Sequence, residues 1–110
     1  MSTPVASVLP PEIELRRAEI GEICARFGVR RLELFGSAAT GTFDAARSDL
    51  DFMVEFDPAL RTRPFEQYFG LKEELEALFE RPVDLVEAGA SSNRYFLESV
   101  NKSLRLLYAA

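Results

Sequence analysis

The sequence predicts a single small α/β (α+β) domain, in which a mixed sheet of about three strands is flanked by helices. Three short segments alternate between apolar and polar side chains, which is the pattern of half-buried strands. Stripes of apolar residues at helical spacing precede, separate and follow these segments. The chain has 110 residues, a length at which one core buries roughly 65% of the unfolded surface.

The first helix is predicted over residues 12–27, with Gly28 directly after it as a stop signal. Its apolar stripe comprises Ile13, Ile20, Ile23, Cys24 and Phe27. Residues 1–10 hold two prolines and show no periodicity. We therefore expect a flexible tail over residues 1–10 and a folded domain over residues 11–110.

Two strands are predicted next. Residues 30–35 alternate and run directly into Gly36 and Ser37, and residues 49–56 alternate again. A short helical turn and a loop are expected between them, over residues 38–48. The alternation places Asp49 and Asp51 on one face of the second strand, opposite its apolar residues.

The remaining pattern predicts a helix, a strand and a closing helix. Residues 62–80 read as a helix with Thr62 as N-cap and a proline in its first turn. Residues 82–87 form a third short strand, in which Asp84 faces away from its apolar neighbours. The closing helix is capped by Ser91 or Ser92. Its apolar stripe comprises Phe96, Val100, Leu104 and Leu107.

Composition excludes several classes of function. A net charge of -5 argues against a protein that mainly grips nucleic acid, because such binding depends on Lys and Arg neutralising phosphates. The chain has no histidine, which removes Ser-His-Asp triads and most zinc sites. Any acid-base or metal chemistry must therefore rest on carboxylates.

A single cysteine, Cys24, cannot form an intramolecular disulfide, and its helical stripe predicts a buried apolar environment. The sequence shows neither a signal-peptide pattern nor a membrane-spanning apolar run. We therefore expect a cytoplasmic protein with no membrane partner.

Asp49 and Asp51 carry the first chemical signal. Residues two apart on a strand lie about 6.6 Å apart on one face, so two carboxylates there can share an ion or bracket a metal pair. Oxygen-only ligation favours Mg²⁺. Taken alone, the pattern more often marks a pair of solvated aspartates on the open face of a half-buried strand.

Further residues strengthen this signal. Gly36 and Ser37 follow a strand and can present backbone N–H groups and a hydroxyl to a phosphate. Asp84 can supply a third carboxylate from the third strand. Candidate nucleotide contacts are Arg47, Ser48 and Lys72. For Arg47 and Lys72, the role of an ordinary surface charge fits as well as a contact with a phosphate.

These motifs together resemble a known family, the minimal nucleotidyltransferase (MNT) domains of the polymerase-beta-like superfamily. The resemblance covers residues 12–108 and rests on LELFGSAATGTFDAARSDLDFMVEF, FGLKEELEALFERPVDLVEAG and the closing LLYAA. The family signature is Gly-Ser, a spacer and Asp-x-Asp, with a later carboxylate in a VDLV-like strand. Eleven residues separate Ser37 from Asp49, one more than usual, which we expect to alter only the shape of the loop.

The resemblance implies a polymerase-beta-like nucleotidyltransferase fold and a role for each matching residue. Gly36 and Ser37 would hold the triphosphate of ATP, and Asp49 and Asp51 would ligate two Mg²⁺. Asp84 would ligate the catalytic metal and help to deprotonate the acceptor hydroxyl. The reaction would be in-line transfer of a nucleoside monophosphate, with pyrophosphate leaving.

Small members of this family are typically antitoxins whose partner is a HEPN-type ribonuclease toxin. The resemblance thus implies transfer of AMP to a tyrosine of that toxin, by a protein that forms a hetero-oligomer with it. Two alternatives stay open. One is an antitoxin that masks its toxin by binding alone, and the other is a nucleotidyltransferase that modifies a small hydroxylated molecule.

Overall fold

The structure, a computed structural model, describes residues 11–35, 50–88 and 104–110. The helices in this part of the chain are α1 (Pro11–Leu15), α2 (Arg17–Arg26) and α3 (Pro64–Phe79), with a 3-10 turn at Pro58–Leu60. The strands are β1 (Val29–Phe35), β2 (Leu50–Phe56), β3 (Val83–Glu87) and β4 (Arg105–Ala109). They form one sheet of order β3-β2-β1-β4.

The sheet is mixed, as predicted. β1 pairs antiparallel with β2 and with β4, whereas β2 and β3 run parallel. One face of the sheet is covered by α2 and α3, which contribute Ile20 and Leu71 to the buried core. The predicted α/β class is thus confirmed, with a fourth strand added to the three that the sequence indicated.

The alternation of β2 explains how the sheet acquires two different faces. Leu50, Phe52 and Val54 are fully buried, whereas Asp51 and Met53 between them are only partly covered. Strand residues point alternately to opposite sides, so the first set packs under the helices and the second lies on the other face. Asp51 of β2 therefore lies on the face away from the core, and so does its register partner on β3, Asp84.

The connection from β2 to β3 places the first residues of both strands at the same end of the sheet. Parallel strands need a crossover, which α3 provides here. The helix ends at Phe79, its C-cap residue Glu80 has a left-handed φ of 53°, and the chain then turns into β3. The first residues of β2 and β3, Leu50 and Val83, are register partners.

The first predicted helix is interrupted. Residues 12–27 form α1 and α2, separated by a turn at Arg16, whose backbone N–H donates to the carbonyl of Ile13 at 3.1 Å. The break lets Ile13 and Ile20 both reach the core with no exposed surface. Gly28 does end this segment, with a left-handed φ of 71°, as predicted.

Thr62 is not the N-cap of α3, so that prediction is wrong. The N-cap position is Arg63, whose own side chain makes no capping bond. Instead, the Gln67 side chain accepts from the backbone N–H of Arg63 at 3.1 Å and donates to the carbonyls of Phe27 and Leu60, each at 2.9 Å. One glutamine thereby ties the start of α3 to the end of α2 and to the 3-10 turn.

The predicted closing helix does not extend to Leu107, because Arg105–Ala109 is strand β4. Pairing with β1 satisfies backbone groups along the β1 edge that a helix would leave open. Leu107 is buried in the core as predicted, but from a strand, while Leu106 is 44% exposed. The residues of that predicted helix before Leu104, the tail over 1–10 and the turn over 38–48 lie outside the described residues.

Candidate active site

Asp51 and Asp84 are direct register partners on the parallel strands β2 and β3. Neighbouring strands lie about 4.8 Å apart, and register partners point to the same face. Asp84 is exposed, and Asp51 is partly covered. The structure therefore brings together two of the three carboxylates that the sequence singled out, on the face opposite the core.

A third member of this row was missed by sequence reasoning. Phe35, the last residue of β1, is the register partner of Asp51 on its other side. It is only 8% exposed although it is not part of the main core cluster. The alternation of β1 did place Phe35 on the open face, but a phenylalanine there gave no chemical signal. An apolar neighbour lowers the local dielectric and so strengthens the electrostatic interactions of the carboxylate beside it.

Four predicted phosphate- or nucleotide-binding residues and one predicted metal ligand, Asp49, lie outside the described residues. These positions are Gly36, Ser37, Arg47, Ser48 and Asp49. Their chain positions are nonetheless informative, because the first two follow Phe35 directly and the last precedes Leu50. The described neighbours of these segments, Phe35 and Leu50, lie at the end of the sheet that carries Asp51 and Asp84.

The carboxylate pair fits a divalent cation. Mg²⁺ is usually held by one or two carboxylates, with substrate phosphates and water in the other positions. Two adjacent carboxylates repel each other when both are charged, and a bound cation offsets that repulsion. Within residues 11–35, 50–88 and 104–110, no group of three or more acidic, histidine or cysteine residues could hold a metal. A third protein ligand would therefore have to come from elsewhere, such as Asp49.

Lys72 lies on α3 and contacts the start of β3 indirectly. Its ammonium is 3.5 Å from a carboxylate oxygen of Glu76. The same oxygen accepts a hydrogen bond of 3.1 Å from the backbone N–H of Val83. Lys72 is thus engaged with the segment that carries Asp84, and its predicted contact with a phosphate stays a prediction.

An open cavity of about 340 Å³ lies at the other end of the sheet, between the end of α2 and the start of α3. Phe27, Leu60 and Gln67 are among its lining residues. Of the predicted site residues that the structure describes, Asp51, Lys72 and Asp84, none lines this cavity, and it lies far along β2 from Asp51. Among the helices that the structure describes, none is both long and apolar enough to cross a membrane.

Residues 17–107 of the chain match the sequence model of a protein family, the nucleotidyltransferase domain. The chain is 33% identical over 79 residues to a Methanocaldococcus jannaschii protein named "Putative protein adenylyltransferase". This match spans 72% of the chain and 76% of that protein.

Solved structures agree with the sequence match. One, named as a "putative minimal nucleotidyltransferase", superposes with a TM-score of 0.70 at 31% identity and covers 84% of this chain and 90% of the other. A chain from the crystal structure of a toxin-antitoxin with AMP-PNP gives a TM-score of 0.62 at 22% identity, over 86% and 73% of the two chains.

A third likeness is to a chain of the tri-AMPylated Shewanella oneidensis HEPN toxin in complex with MNT antitoxin. Its TM-score is 0.59 at 18% identity, over 89% of this chain and 73% of that one. At such low identity, the two toxin-antitoxin structures speak for the fold alone. That fold is the polymerase-beta-like fold of minimal nucleotidyltransferases, as predicted from the sequence.

Proposed function

The chain belongs to the nucleotidyltransferase domain family, and we propose that it transfers AMP from ATP to a hydroxyl group of a partner protein, with Mg²⁺ as cofactor. The observation that carries this proposal is the pairing of Asp51 with Asp84 across β2 and β3. The pair lies on the open face of the sheet, and Asp51 is the register partner of Phe35, the residue that Gly36 follows in the chain. The relative named as a protein adenylyltransferase supports AMP as the transferred group.

Each carboxylate has a distinct task in this proposal. Asp51, partly covered and beside Phe35, would hold the metal and, together with Asp49, orient the triphosphate. Asp84 lies on an edge strand and is exposed, so an acceptor hydroxyl can reach it and give up its proton there. Bound Mg²⁺ would neutralise the charge that develops on the phosphates.

The bonds balance in a single displacement. The acceptor oxygen forms a bond to the α-phosphorus, the bond between that phosphorus and the bridging oxygen to the β-phosphate breaks, and pyrophosphate leaves. Gly36 and Ser37 would bind the triphosphate through backbone N–H groups and a hydroxyl. Positioning dominates such reactions, which suits a small domain with few catalytic groups.

The acceptor that we propose is a tyrosine of a HEPN-type toxin, so the chain would be the antitoxin of a toxin-antitoxin pair in the cytoplasm. The fold neighbours from toxin-antitoxin structures support this partner, and one of those structures contains an AMPylated HEPN toxin. A non-catalytic antitoxin that only masks its toxin is the competing account. The carboxylate pair favours a catalytic antitoxin, because a protein that only masks its toxin would not need Asp51 and Asp84 side by side.

The deciding experiment separates binding from chemistry with Asp84→Ala. Cells that express the toxin receive wild-type chain, Asp84→Ala or the control Glu73→Ala, which removes an exposed carboxylate from α3. We expect the wild type and Glu73→Ala to rescue growth, and Asp84→Ala to bind the toxin without rescue. Full rescue by Asp84→Ala, with no AMP on the toxin by intact mass, would favour masking.

A further inference from the structure

The start of β3 is held by a side chain that lies outside the predicted site. β3 is the outermost strand of the sheet formed by the described residues, and within that part of the chain its outer backbone groups have no neighbouring strand to pair with. The N–H of Leu50 donates to the carbonyl of Pro82 at 3.2 Å, so the backbone of Pro82 faces β2. Backbone groups of successive strand residues point to alternate sides, and the N–H of Val83 therefore points away from β2. Glu76 of α3 accepts the Val83 N–H at 3.1 Å.

Glu76 is itself well fixed. Its helix is anchored in the core by Leu75, which is fully buried, and by Phe79, which is 5% exposed. Lys72, one turn earlier, pairs with the Glu76 carboxylate at 3.5 Å, and both side chains are about two-thirds buried. The carboxylate therefore reaches β3 from a rigid helix and not from a loop.

The residues just before Asp84 are thus held on two sides. Glu76 binds Val83 from the helix side, while Leu50 binds Pro82 from β2. A third contact lies one residue earlier, where the Arg81 guanidinium pairs with Glu12 of α1 at 3.0 Å. Backbone movement at this point would move the Asp84 carboxylate relative to Asp51.

We propose that Glu76 is a positioning residue, which fixes the start of β3 so that the Asp84 carboxylate stays beside Asp51 in a geometry that binds a divalent cation. The inference rests on the proposed function, because it assigns the pair of aspartates to the metal site. Metal ligation tolerates displacements of only about 0.5 Å. Groups that orient the ligands typically change metal affinity by about 10-fold to 100-fold when removed.

Three variants test this role. Glu76→Ala removes the acceptor, Glu76→Gln keeps an oxygen that can accept the Val83 N–H, and Glu73→Ala removes an exposed carboxylate on the same helix. A fourth variant, Ile20→Val, weakens the core from α2, away from β3, and so controls for a general loss of stability. Each protein is purified and stripped of metal with EDTA, which is then removed.

Two quantities are measured on each variant without substrate. The first is hydrogen exchange of the Val83 amide by NMR in the metal-free protein, and the second is the dissociation constant for Mn²⁺ by calorimetry. For Glu76→Ala we expect exchange to be faster by about fivefold or more, the effect of one lost hydrogen bond. We expect Mn²⁺ to bind about 10-fold more weakly. Glu76→Gln, Glu73→Ala and Ile20→Val should stay within about twofold of the wild type in Mn²⁺ affinity.

The outcomes are distinct. Unchanged Mn²⁺ affinity in Glu76→Ala would overturn the positioning role, and so would an equal loss in Ile20→Val or in Glu76→Gln. If the wild type itself fails to bind Mn²⁺, the proposed metal site is wrong, and the positioning role is overturned with it. Normal Mn²⁺ binding by the wild type, unaffected by Glu76→Ala, would leave the proposed function standing and remove only this inference.

Discussion

Asp51 and Asp84 face the same side of the sheet as register partners, although a whole helix separates them in sequence. Their juxtaposition follows from two physical facts. Side chains along each strand alternate between the two faces of the sheet, which turns each aspartate away from the core. The crossover through α3 makes the two strands parallel, so their first residues lie at the same end of the sheet. This pair is the part of the proposed metal site that the described residues contain.

Metal dependence is the first prediction. In the wild type, ATP should bind at least about 10-fold more tightly with Mg²⁺ or Mn²⁺ than with EDTA, because the metal bridges carboxylates and phosphates. In Asp51→Asn, and still more when Asp49→Asn is added, this difference should disappear while the melting temperature is retained. Isothermal calorimetry with and without EDTA measures it.

The matched control for that prediction is Glu55→Gln. Glu55 lies on the same strand and the same face as Asp51 but at the far end, where it is 3.9 Å from the Arg30 guanidinium. It should keep full metal dependence. Equal ATP affinity of the wild type in Mg²⁺ and in EDTA would contradict the assignment of Asp51.

Two helical glycines should respond in opposite directions to alanine. A Cβ at Gly21 of α2 would lie 3.8 Å from the Tyr108 ring, an ordinary contact, so Gly21→Ala should raise the free energy of unfolding by about 0.5–1 kcal/mol. A Cβ at Gly70 of α3 would lie 2.5 Å from the Phe27 ring. Because that ring packs against the core, Gly70→Ala should lower the free energy of unfolding by about 1–3 kcal/mol.

Urea denaturation of both glycine variants, with the wild type beside them, measures these changes. The comparison is informative because helix propensity alone predicts that both substitutions stabilise the protein. Stabilisation by Gly70→Ala would mean that the Phe27 ring does not pack directly against Gly70 of α3.

Much of the fold could be predicted because its signals are local. The alternation in β1, β2 and β3 specifies which side chains face the core, and the stop at Gly28 follows from its left-handed backbone. The open-face position of Asp84 was predicted for the same reason. Its pairing with Asp51 was not, because strand order depends on contacts between segments that are distant in sequence.

The errors also have physical causes. Leu104 and Leu107 fit a helical stripe, and only the free edge of β1 decides that their segment pairs as a strand. Thr62 looks like a helix cap, but α3 begins one residue later, and the N–H of its N-cap residue Arg63 donates to the Gln67 side chain. In both places a partner outside the local pattern determined the structure.

Cys24 gives the protein a defined response to alkaline pH. Burial raises the pKa of its thiol from 9.0 to about 12. Below pH 9 the thiol is protonated in both the folded and the unfolded chain, so its contribution to stability is constant. As the pH rises from 9 towards 12, the unfolded thiol ionises first, and the free energy of unfolding falls by at most about 1.4 kcal/mol per pH unit.

Cys24→Ala should remove this part of the alkaline loss. The slope of unfolding free energy against pH above 9 is the quantity to compare, since the smaller side chain also leaves a cavity that lowers stability at every pH. Denaturant titrations of both proteins at several pH values provide it. Identical slopes would show that the thiol does not stay protonated in the folded state.

Transfer of the α-phosphate from ATP tests the central claim most directly. The purified chain is mixed with its toxin partner, Mg²⁺ and ATP labelled either at the α-phosphate or at the γ-phosphate. If the chain is a nucleotidyltransferase acting through Asp51 and Asp84, the α-label should appear on the toxin, the γ-label should leave as pyrophosphate, and Asp84→Ala should lower the rate by about 100-fold or more. Labelling of the toxin from the γ-phosphate, or from neither position, would contradict the account.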